Sequence, residues 1–416
     1  MKGPIARGTI RTTFVLGLRL LIQAGTLLLV ARMLGPHQFG AFAGVAALAV
    51  ILGTLSTFGT HLVLLGEVSK EPARRANVLP YAVPGTLLCG GILLVIYLLI
   101  CTFALHESGV AFTVLLAIGI TEMLLQPLFG LPIAEHLALG RIARSQLLQT
   151  LPLALRLLVA ATVFILPLAD PLASYAYGYL IASLIALAVA TATMPGRWPA
   201  FRTWRLPNRT ELRDTAGYAA LNITATSPAE LDKTLATKLL PLSAAGVYAA
   251  SARVIGAATL PVIAMMLSAL PRLFREGQNQ PTRTTHLLRW IFGAALAYSV
   301  ALAVVLWFIA PVFDVIFGAK YQGIQHMIRW LCLAVPGMAL RLTAGSVLMA
   351  LGKPWMRVVF EVTGLVILVI TAVILTTRLG PIGMPLALAC SEWGMTLLGI
   401  GIIVVTRRLE EFSEAP

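Results

Sequence analysis

Apolar stretches of about 20 residues recur along almost the whole chain, and each is long enough to cross a bilayer as one helix. Hydrophobic residues make up 58% of the chain and charged residues only 12%, whereas soluble domains carry about 25% charged residues. We therefore predict an all-α membrane protein. Its twelve transmembrane helices are expected at 10–33, 38–65, 78–104, 110–134, 146–168, 172–194, 214–240, 243–270, 287–311, 326–350, 355–377 and 383–406.

The basic residues between these segments predict how the chain is oriented. One set of connections is rich in arginine and lysine, from the N-terminal residues through the stretch 195–213 to Arg407 and Arg408. The alternate set contains only Arg32, Lys238, Lys320, Arg329 and Arg378. Because cytoplasmic loops carry an excess of Lys and Arg, the first set and both termini are predicted to be cytoplasmic. The net charge of +14 thus reflects orientation, and no nucleic-acid partner is expected.

Two short similarities indicate that the second half of the chain repeats the first. "ARMLGPHQFGAF" from Ala31 aligns with "TKLLPLSAAGVY" from Thr237, and "ALGR" from Ala138 aligns with "ALGK" from Ala350. Six helices per half give both halves the same orientation, so the repeat is parallel, about an axis along the membrane normal. The predicted domains are a six-helix bundle at 1–194, a basic cytoplasmic linker at 195–213 and a second six-helix bundle at 214–416.

Ionisable residues in or beside the predicted helices are the main functional signal. A charged side chain at the bilayer centre costs at least about 2.5–3.5 kcal/mol on insertion scales, so such residues should face a partner or water. We predict a cationic cavity between the two bundles, with the substrate-binding candidates Arg19, Arg32, Arg156, Lys233, Arg253 and Arg341. The candidates for carrying a coupling ion are Glu122, Asp232 and Glu392.

The spacing of polar residues supports such a cavity. Arg19 and Gln23 lie four residues apart in the first predicted helix, and Glu230 and Lys233 lie three apart in the seventh. Residues at these spacings share one face of a helix. Pro228 in the seventh helix removes a backbone hydrogen bond and predicts a kink or hinge.

Several of these residues also have structural explanations. Arg19 is near enough to its cytoplasmic end to extend toward the headgroups, and the other buried cations could belong to structural ion pairs. Asp232 points roughly 200° away from Glu230 around the helix, which favours pairing with another helix. Glu361 is expected to be solvated or to neighbour Arg357.

The sequence contains no pattern typical of a cofactor or metal site. The cysteines fall inside apolar stretches without metal-ligand spacing, which favours small buried thiols; they are Cys89, Cys101, Cys332 and Cys390. No phosphate-binding glycine loop and no large soluble region is present, so nucleotide-driven transport is not expected. We predict a protein that is not an enzyme and has neither cofactor nor metal.

Two stretches resemble Wzx-type oligosaccharide flippases. "LLIQAGTLLLVARMLGPHQFGAFAGVAAL", from Leu20, resembles the first two helices of that family with its "ARxLGPxxFGxF"-like turn. "ELDKTLATKLLPLSAAGVYAASARVIGAATLPVIAMMLSALPRL", from Glu230, resembles helices seven and eight, with a "DK" pair, a "GxY" turn and a later "LPRL". Among the candidate site residues, Arg32 lies in the "ARxLGPxxFGxF"-like turn, and Asp232 and Lys233 form the "DK" pair.

The resemblance implies a member of the multidrug, oligosaccharidyl-lipid and polysaccharide exporter superfamily in the bacterial inner membrane. It implies two six-helix bundles, alternating access, and transfer of undecaprenyl-pyrophosphate-linked sugars from the cytoplasmic to the periplasmic leaflet. The implied partners are the lipid-linked oligosaccharide, membrane lipids, H⁺ or Na⁺ as coupling ion and a polysaccharide polymerase.

Three alternatives stay open at this point. A multidrug/cation antiporter of the same superfamily would favour a cavity dominated by acids and aromatic residues, against which the basic excess argues. A lipid II flippase is poorly separated by sequence. A membrane glycosyltransferase or polymerase would need a substantial outer loop, and the predicted outer loops are short.

Overall fold

The computed structural model describes residues 4–166, 168–261, 281–350 and 354–413, and within these ranges the chain is helical with no strand. The first seven helices are α1 Pro4–Ser56, α2 Thr60–Lys70, α3 Arg75–Phe103, α4 Phe112–Ile120, α5 Gln126–Ala138, α6 Ile142–Ile165 and α7 Pro171–Thr193. The others are α8 Arg209–Leu239, α9 Leu242–Ala258, α10 Pro281–Phe317, α11 Ile324–Cys332, α12 Val335–Ala350, α13 Pro354–Leu379 and α14 Gly383–Ser413. The all-α class is confirmed.

Each of the twelve predicted segments contains a helix, although several helices are broken or merged. α1 contains the first predicted helix and most of the second, joined at Gly35, whose φ of 69° and ψ of 170° interrupt the helix. Glycine adopts this positive φ without a steric penalty, and Pro36 starts the next helix with its fixed φ. The end of the predicted segment 243–270, the "LPRL" motif at 270–273 and residues 351–353 of "ALGK" lie outside the described residues.

The length and composition of the helices support a multi-pass membrane protein. Among the described residues, seven stretches are long and apolar enough to cross a membrane, or eight if α11 and α12, bent by 46°, form one span. Two of the seven are unusually long: Gly17–Ser56 covers both parts of the interrupted α1, and Trp355–Val405 covers α13 and α14. The polar residues of α8 keep it out of this set, although it is 31 residues long.

The chain forms two compact units, Met1–Thr226 and Ser227–Pro416, which divide inside α8. The predicted linker 195–213 therefore belongs to unit 1. There the Arg205 backbone N–H donates to the Pro80 carbonyl at 3.0 Å, and the Arg205 guanidinium lies 4.9 Å from the centre of the Tyr81 ring. The predicted domain limits, which rest on the sequence repeat, stay a prediction.

The start of α8 is fixed by a reciprocal pair of hydrogen bonds. The Glu211 N–H donates to Asn208 Oδ1 at 2.8 Å, and the Asn208 N–H donates to Glu211 Oε2 at 2.8 Å. This is a capping box, which satisfies two backbone donors of the first turn. Hydrogen bonds from the Arg205 guanidinium and from Asn208 lower the pKa of Glu211. Ionised Glu211 therefore ties the linker to the helix.

We expect Glu211→Gln to loosen this corner, because the amide cannot pair with the Arg205 charge. Amide hydrogen exchange at 205–215 should rise at neutral pH, whereas Asp214→Asn, at a neighbouring exposed position, should leave it unchanged. The wild-type protein should show the same loosening as the pH falls through and below the ordinary glutamate pKa of about 4.3, because a lowered pKa stabilises the fold above that range and not below it. Equal exchange in both variants would contradict this role.

A π-helical turn at Thr121–Leu125 joins α4 to α5. Two glycines on neighbouring helices pack against its carbonyl groups. A Cβ added at Gly53 of α1 would lie 2.5 Å from the Glu122 carbonyl oxygen, and one at Gly90 of α3 would overlap the Met123 carbonyl oxygen. The wide turn is therefore held by helices that approach closely only because these residues lack side chains.

We expect Gly90→Ala to lower the thermal stability of the purified protein, because the methyl group must push α3 away from the π turn. Gly91→Ala is the matched control, since a methyl group at that position would meet no atom within 4 Å. In a helix, alanine is preferred to glycine by about 1 kcal/mol, so the control should be unchanged or slightly more stable. A Gly90→Ala variant as stable as the control would show that the turn can shift freely.

Candidate functional site

Unit 1 contains a partly buried network that links the π turn to two helices. Glu122 lies in the π turn, Arg156 on α6 and Tyr179 on α7. The Tyr179 hydroxyl donates to Glu122 Oε1 and accepts from Arg156 Nη2. Arg156 Nη2 lies 3.6 Å from Glu122 Oε1, and the guanidinium lies 3.8 Å from the centre of the Tyr179 ring. The arginine charge is thus compensated by one carboxylate and one aromatic face.

Arg19 of α1 has different partners. Its guanidinium Nη1 donates to Gln149 Oε1 at 3.0 Å and to Gln146 Oε1 at 3.5 Å, both on α6. Amide oxygens satisfy the donors without cancelling the positive charge. Within the described residues, half-buried Arg19 therefore keeps a net charge that an anion could bind.

Unit 2 contains a second network, on α8 and α9. Lys233 Nζ lies 3.3 Å from Asp232 Oδ1 and 3.5 Å from Glu230 Oε2, and it donates to the Ala229 carbonyl. The Tyr248 hydroxyl donates to Asp232 Oδ2 at 2.8 Å. Asp232 therefore does pair with another helix, and Lys233 faces two carboxylates.

A third network joins three helices of unit 2. Arg341 of α12 donates from Nε to Glu392 Oε2 of α14 at 2.6 Å. It also donates from Nη1 to Glu361 Oε2 of α13 at 2.8 Å. All three side chains are buried, with exposures of 8%, 3% and 4% for Arg341, Glu361 and Glu392. We call Arg341, Glu361 and Glu392 the arginine–glutamate triad.

In the structure, six of the predicted site residues form three ion pairs, whereas Arg19, Arg32 and Arg253 have other surroundings. Each predicted ion-coupling acid lies beside a predicted cation, giving the pairs Glu122–Arg156, Asp232–Lys233 and Glu392–Arg341. Arg19 has neutral partners, and Arg32 is exposed just before the break in α1. Arg253 is half-buried on α9, and no ion pair joins it to another residue in the described part of the chain.

The sequence prediction missed several members of these networks. Glu361, predicted to be solvated or beside Arg357, is not solvated: its carboxylate is buried and accepts from Arg341, while Arg357 does interact with it electrostatically. A carboxylate inside a predicted span is itself a functional signal, so the sequence did mark this residue. Tyr179 and Tyr248 carry no charge and left no comparable signal. Their hydroxyl groups nevertheless need partners once buried.

Sequence and fold comparisons agree on the class of protein. The pattern of the family described as "Polysaccharide biosynthesis protein" matches residues 5–276. The chain belongs to the polysaccharide biosynthesis protein family. None of the curated proteins matches the chain in sequence.

Solved structures show the same fold. An inward-facing multidrug resistance MATE family transporter of the MOP superfamily has a TM-score of 0.77 at 15% identity, covering 95% of this chain and 96% of that chain. The lipid II flippase MurJ, in an inward closed conformation, has a TM-score of 0.75 at 12% identity, covering 98% and 93%. A MOP superfamily transporter from Pyrococcus furiosus has a TM-score of 0.66 at 14% identity, covering 98% and 95%. The predicted resemblance is thus confirmed at the level of the polysaccharide biosynthesis protein family, and the solved structures show that the fold is shared.

We expect Tyr248→Phe to destabilise the protein, because Asp232 Oδ2 would lose a buried donor. Loss of a hydrogen bond to a charged group corresponds to about 1.5–3 kcal/mol, so the thermal midpoint in detergent should fall clearly. Tyr298→Phe is the control, at a tyrosine of the same unit that is 38% exposed. If both variants unfold at the wild-type temperature, the Tyr248–Asp232 bond does not stabilise unit 2.

Proposed function

We propose that the protein is a flippase for undecaprenyl-pyrophosphate-linked oligosaccharides. It would move them from the cytoplasmic to the periplasmic leaflet of the bacterial inner membrane by alternating access. Membership of the polysaccharide biosynthesis protein family carries this proposal, together with the intramembrane cations. Both termini would be cytoplasmic, as the distribution of Lys and Arg predicts.

The proposed mechanism makes and breaks no covalent bond. The pyrophosphate would bind to intramembrane cations through charge-assisted hydrogen bonds, which are stronger than neutral ones. Arg19 is the best supported of these, because its observed partners are the neutral amides of Gln146 and Gln149. Arg253 is the second candidate, whereas Arg156, Lys233 and Arg341 would have to exchange a carboxylate for the substrate. The lipid tail would stay in the bilayer while the headgroup crosses.

Coupling to an H⁺ or Na⁺ gradient completes the proposal. Glu122, Asp232 and Glu392 are the candidate carriers, and each is held next to a cation whose pairing would change on protonation. A polysaccharide polymerase is the proposed partner that would receive the product. Transport that continues unchanged when both gradients are collapsed would exclude coupling while leaving the flippase activity in place.

The alternatives within the superfamily are a multidrug/cation antiporter and a lipid II flippase. The matched fold is common to both kinds of transporter, so it does not favour either. The family pattern over residues 5–276 favours a polysaccharide precursor as substrate. A cationic drug would be repelled by Arg19, whereas an anionic headgroup would be attracted.

We expect Arg19→Gln to reduce flipping of a fluorescent lipid-linked oligosaccharide in reconstituted vesicles by roughly 10-fold or more. The estimate follows from loss of a charged hydrogen bond of about 1.5–3 kcal/mol. Arg19→Lys should retain part of the activity, because the charge remains. Arg378→Gln, which removes an exposed arginine at the end of α13, is the control and should flip at the wild-type rate. If Arg19→Gln matched this control, Arg19 would not contact the pyrophosphate.

A further inference from the structure

The arginine–glutamate triad is not neutral when all its members are ionised. One guanidinium binds two carboxylates through their Oε2 atoms, at 2.8 Å for Glu361 and 2.6 Å for Glu392. All three groups are buried. Glu361 and Glu392 lie in a stretch long and apolar enough to cross a membrane, and Arg341 lies on α12, part of the bent pair that would form an eighth span. A buried ion pair is tolerated when its charges are matched, but an uncompensated charge in such surroundings is strongly disfavoured.

Arg357 adds one positive charge beside the triad, but a neighbouring cluster of two carboxylates and one ammonium adds a net negative charge. Arg357 of α13 interacts electrostatically with Glu361 and Arg341. Asp232 of α8 interacts electrostatically with Glu392, and so does Tyr248 of α9. Asp232 in turn lies beside the ammonium of Lys233, which also lies close to the carboxylate of Glu230.

The triad and the charged side chains around it carry unequal numbers of positive and negative charges. The cations are Arg341, Arg357 and Lys233, and the carboxylates are Glu361, Glu392, Asp232 and Glu230. Carboxylates exceed cations by one, and the tyrosine hydroxyl is neutral. One further positive charge would make this group of side chains neutral.

A small cavity lies beside the triad, where a proton could enter. It has a volume of about 10 Å³, close to the least space that holds one water molecule. Arg341, Glu361 and Glu392 line it together with Ser391 of α14 and Pro228 of α8. Proline leaves the backbone carbonyl one turn earlier without its usual donor, so this is the point where α8 can bend most easily. A water molecule in the cavity could carry a proton to either glutamate.

We propose that Glu361 and Glu392 hold one exchangeable proton between them, with Arg341 bound to both, and that this is the proton-binding site of the transporter. The proton passes from hydronium in the cavity to a glutamate oxygen and leaves water behind; release reverses the step. The proton site rests on these charges and on the cavity, whereas its role in transport rests on the proposed function.

A proton fits this site better than a sodium ion. Both Oε2 atoms already accept hydrogen bonds from the guanidinium. A metal ion would be repelled by the arginine charge whichever carboxylate oxygen it approached. Protonation instead removes a negative charge and adds no second cation beside Arg341.

Infrared spectroscopy of the full-length protein in lipid vesicles tests the site directly. Wild-type protein at neutral pH should show the C=O stretching band of a protonated carboxyl group, shifting in D₂O. Glu361→Gln and Glu392→Gln should each abolish that band, because either substitution removes the excess charge. Glu71→Gln, at a side chain that is 58% exposed, is the control and should leave the band intact. If either single variant fails to fold, the other variant and the wild-type band still decide.

Three results would overturn the proposal. The first is absence of the band in wild-type protein, the second is its persistence in both glutamine variants, and the third is its loss when sodium replaces a large organic cation.

Transport by the glutamine variants should become independent of the pH gradient. If the band behaves as expected but no lipid-linked oligosaccharide is flipped under any condition, the proton site stands and the proposed function fails. If flipping occurs without the band, the proton site fails alone.

Discussion

Compensation of charge in a medium of low dielectric constant is the constraint on which the structure of this chain depends. Every buried network described above combines a cation with at least one carboxylate on the same or another helix. The Glu122–Arg156 pair is closed by Tyr179, and Asp232 is shared by Lys233 and Tyr248. Because such groups are unfavourable when left alone, each network also fixes the rotation of its helices about their axes.

The same constraint distinguishes cations that hold the protein together from those available to a ligand. Arg341 is engaged by two glutamates, and an anionic headgroup would have to compete with both. Arg19, by contrast, is positioned by two glutamines that leave its charge uncancelled. A cation that is oriented but not neutralised is suited to binding phosphate, because little reorganisation is needed when the ligand arrives.

Much of the fold follows from the sequence because a membrane span requires about 20 apolar residues in succession. The helices, and the break at Gly35 and Pro36, were predictable from such local patterns. Contacts between distant segments were not. The partners of Arg341 come from α13 and α14, and no spacing in the sequence relates them. Likewise, the packing of Arg205 on Tyr81 depends on tertiary contacts, so the linker looked independent in sequence.

The π turn at Thr121–Leu125 determines where the Glu122 side chain points, because its extra residue shifts the helical register of the span. A π turn holds one residue more than the α-helical turn it replaces, and one residue corresponds to about 100° of helix rotation. Deleting a single residue there would let the backbone return to α-helical geometry. The preceding part of the span would then rotate relative to α5, without any change in the chemistry of the remaining side chains. Homologous chains should therefore differ in length at this place only if the network around Tyr179 has been lost.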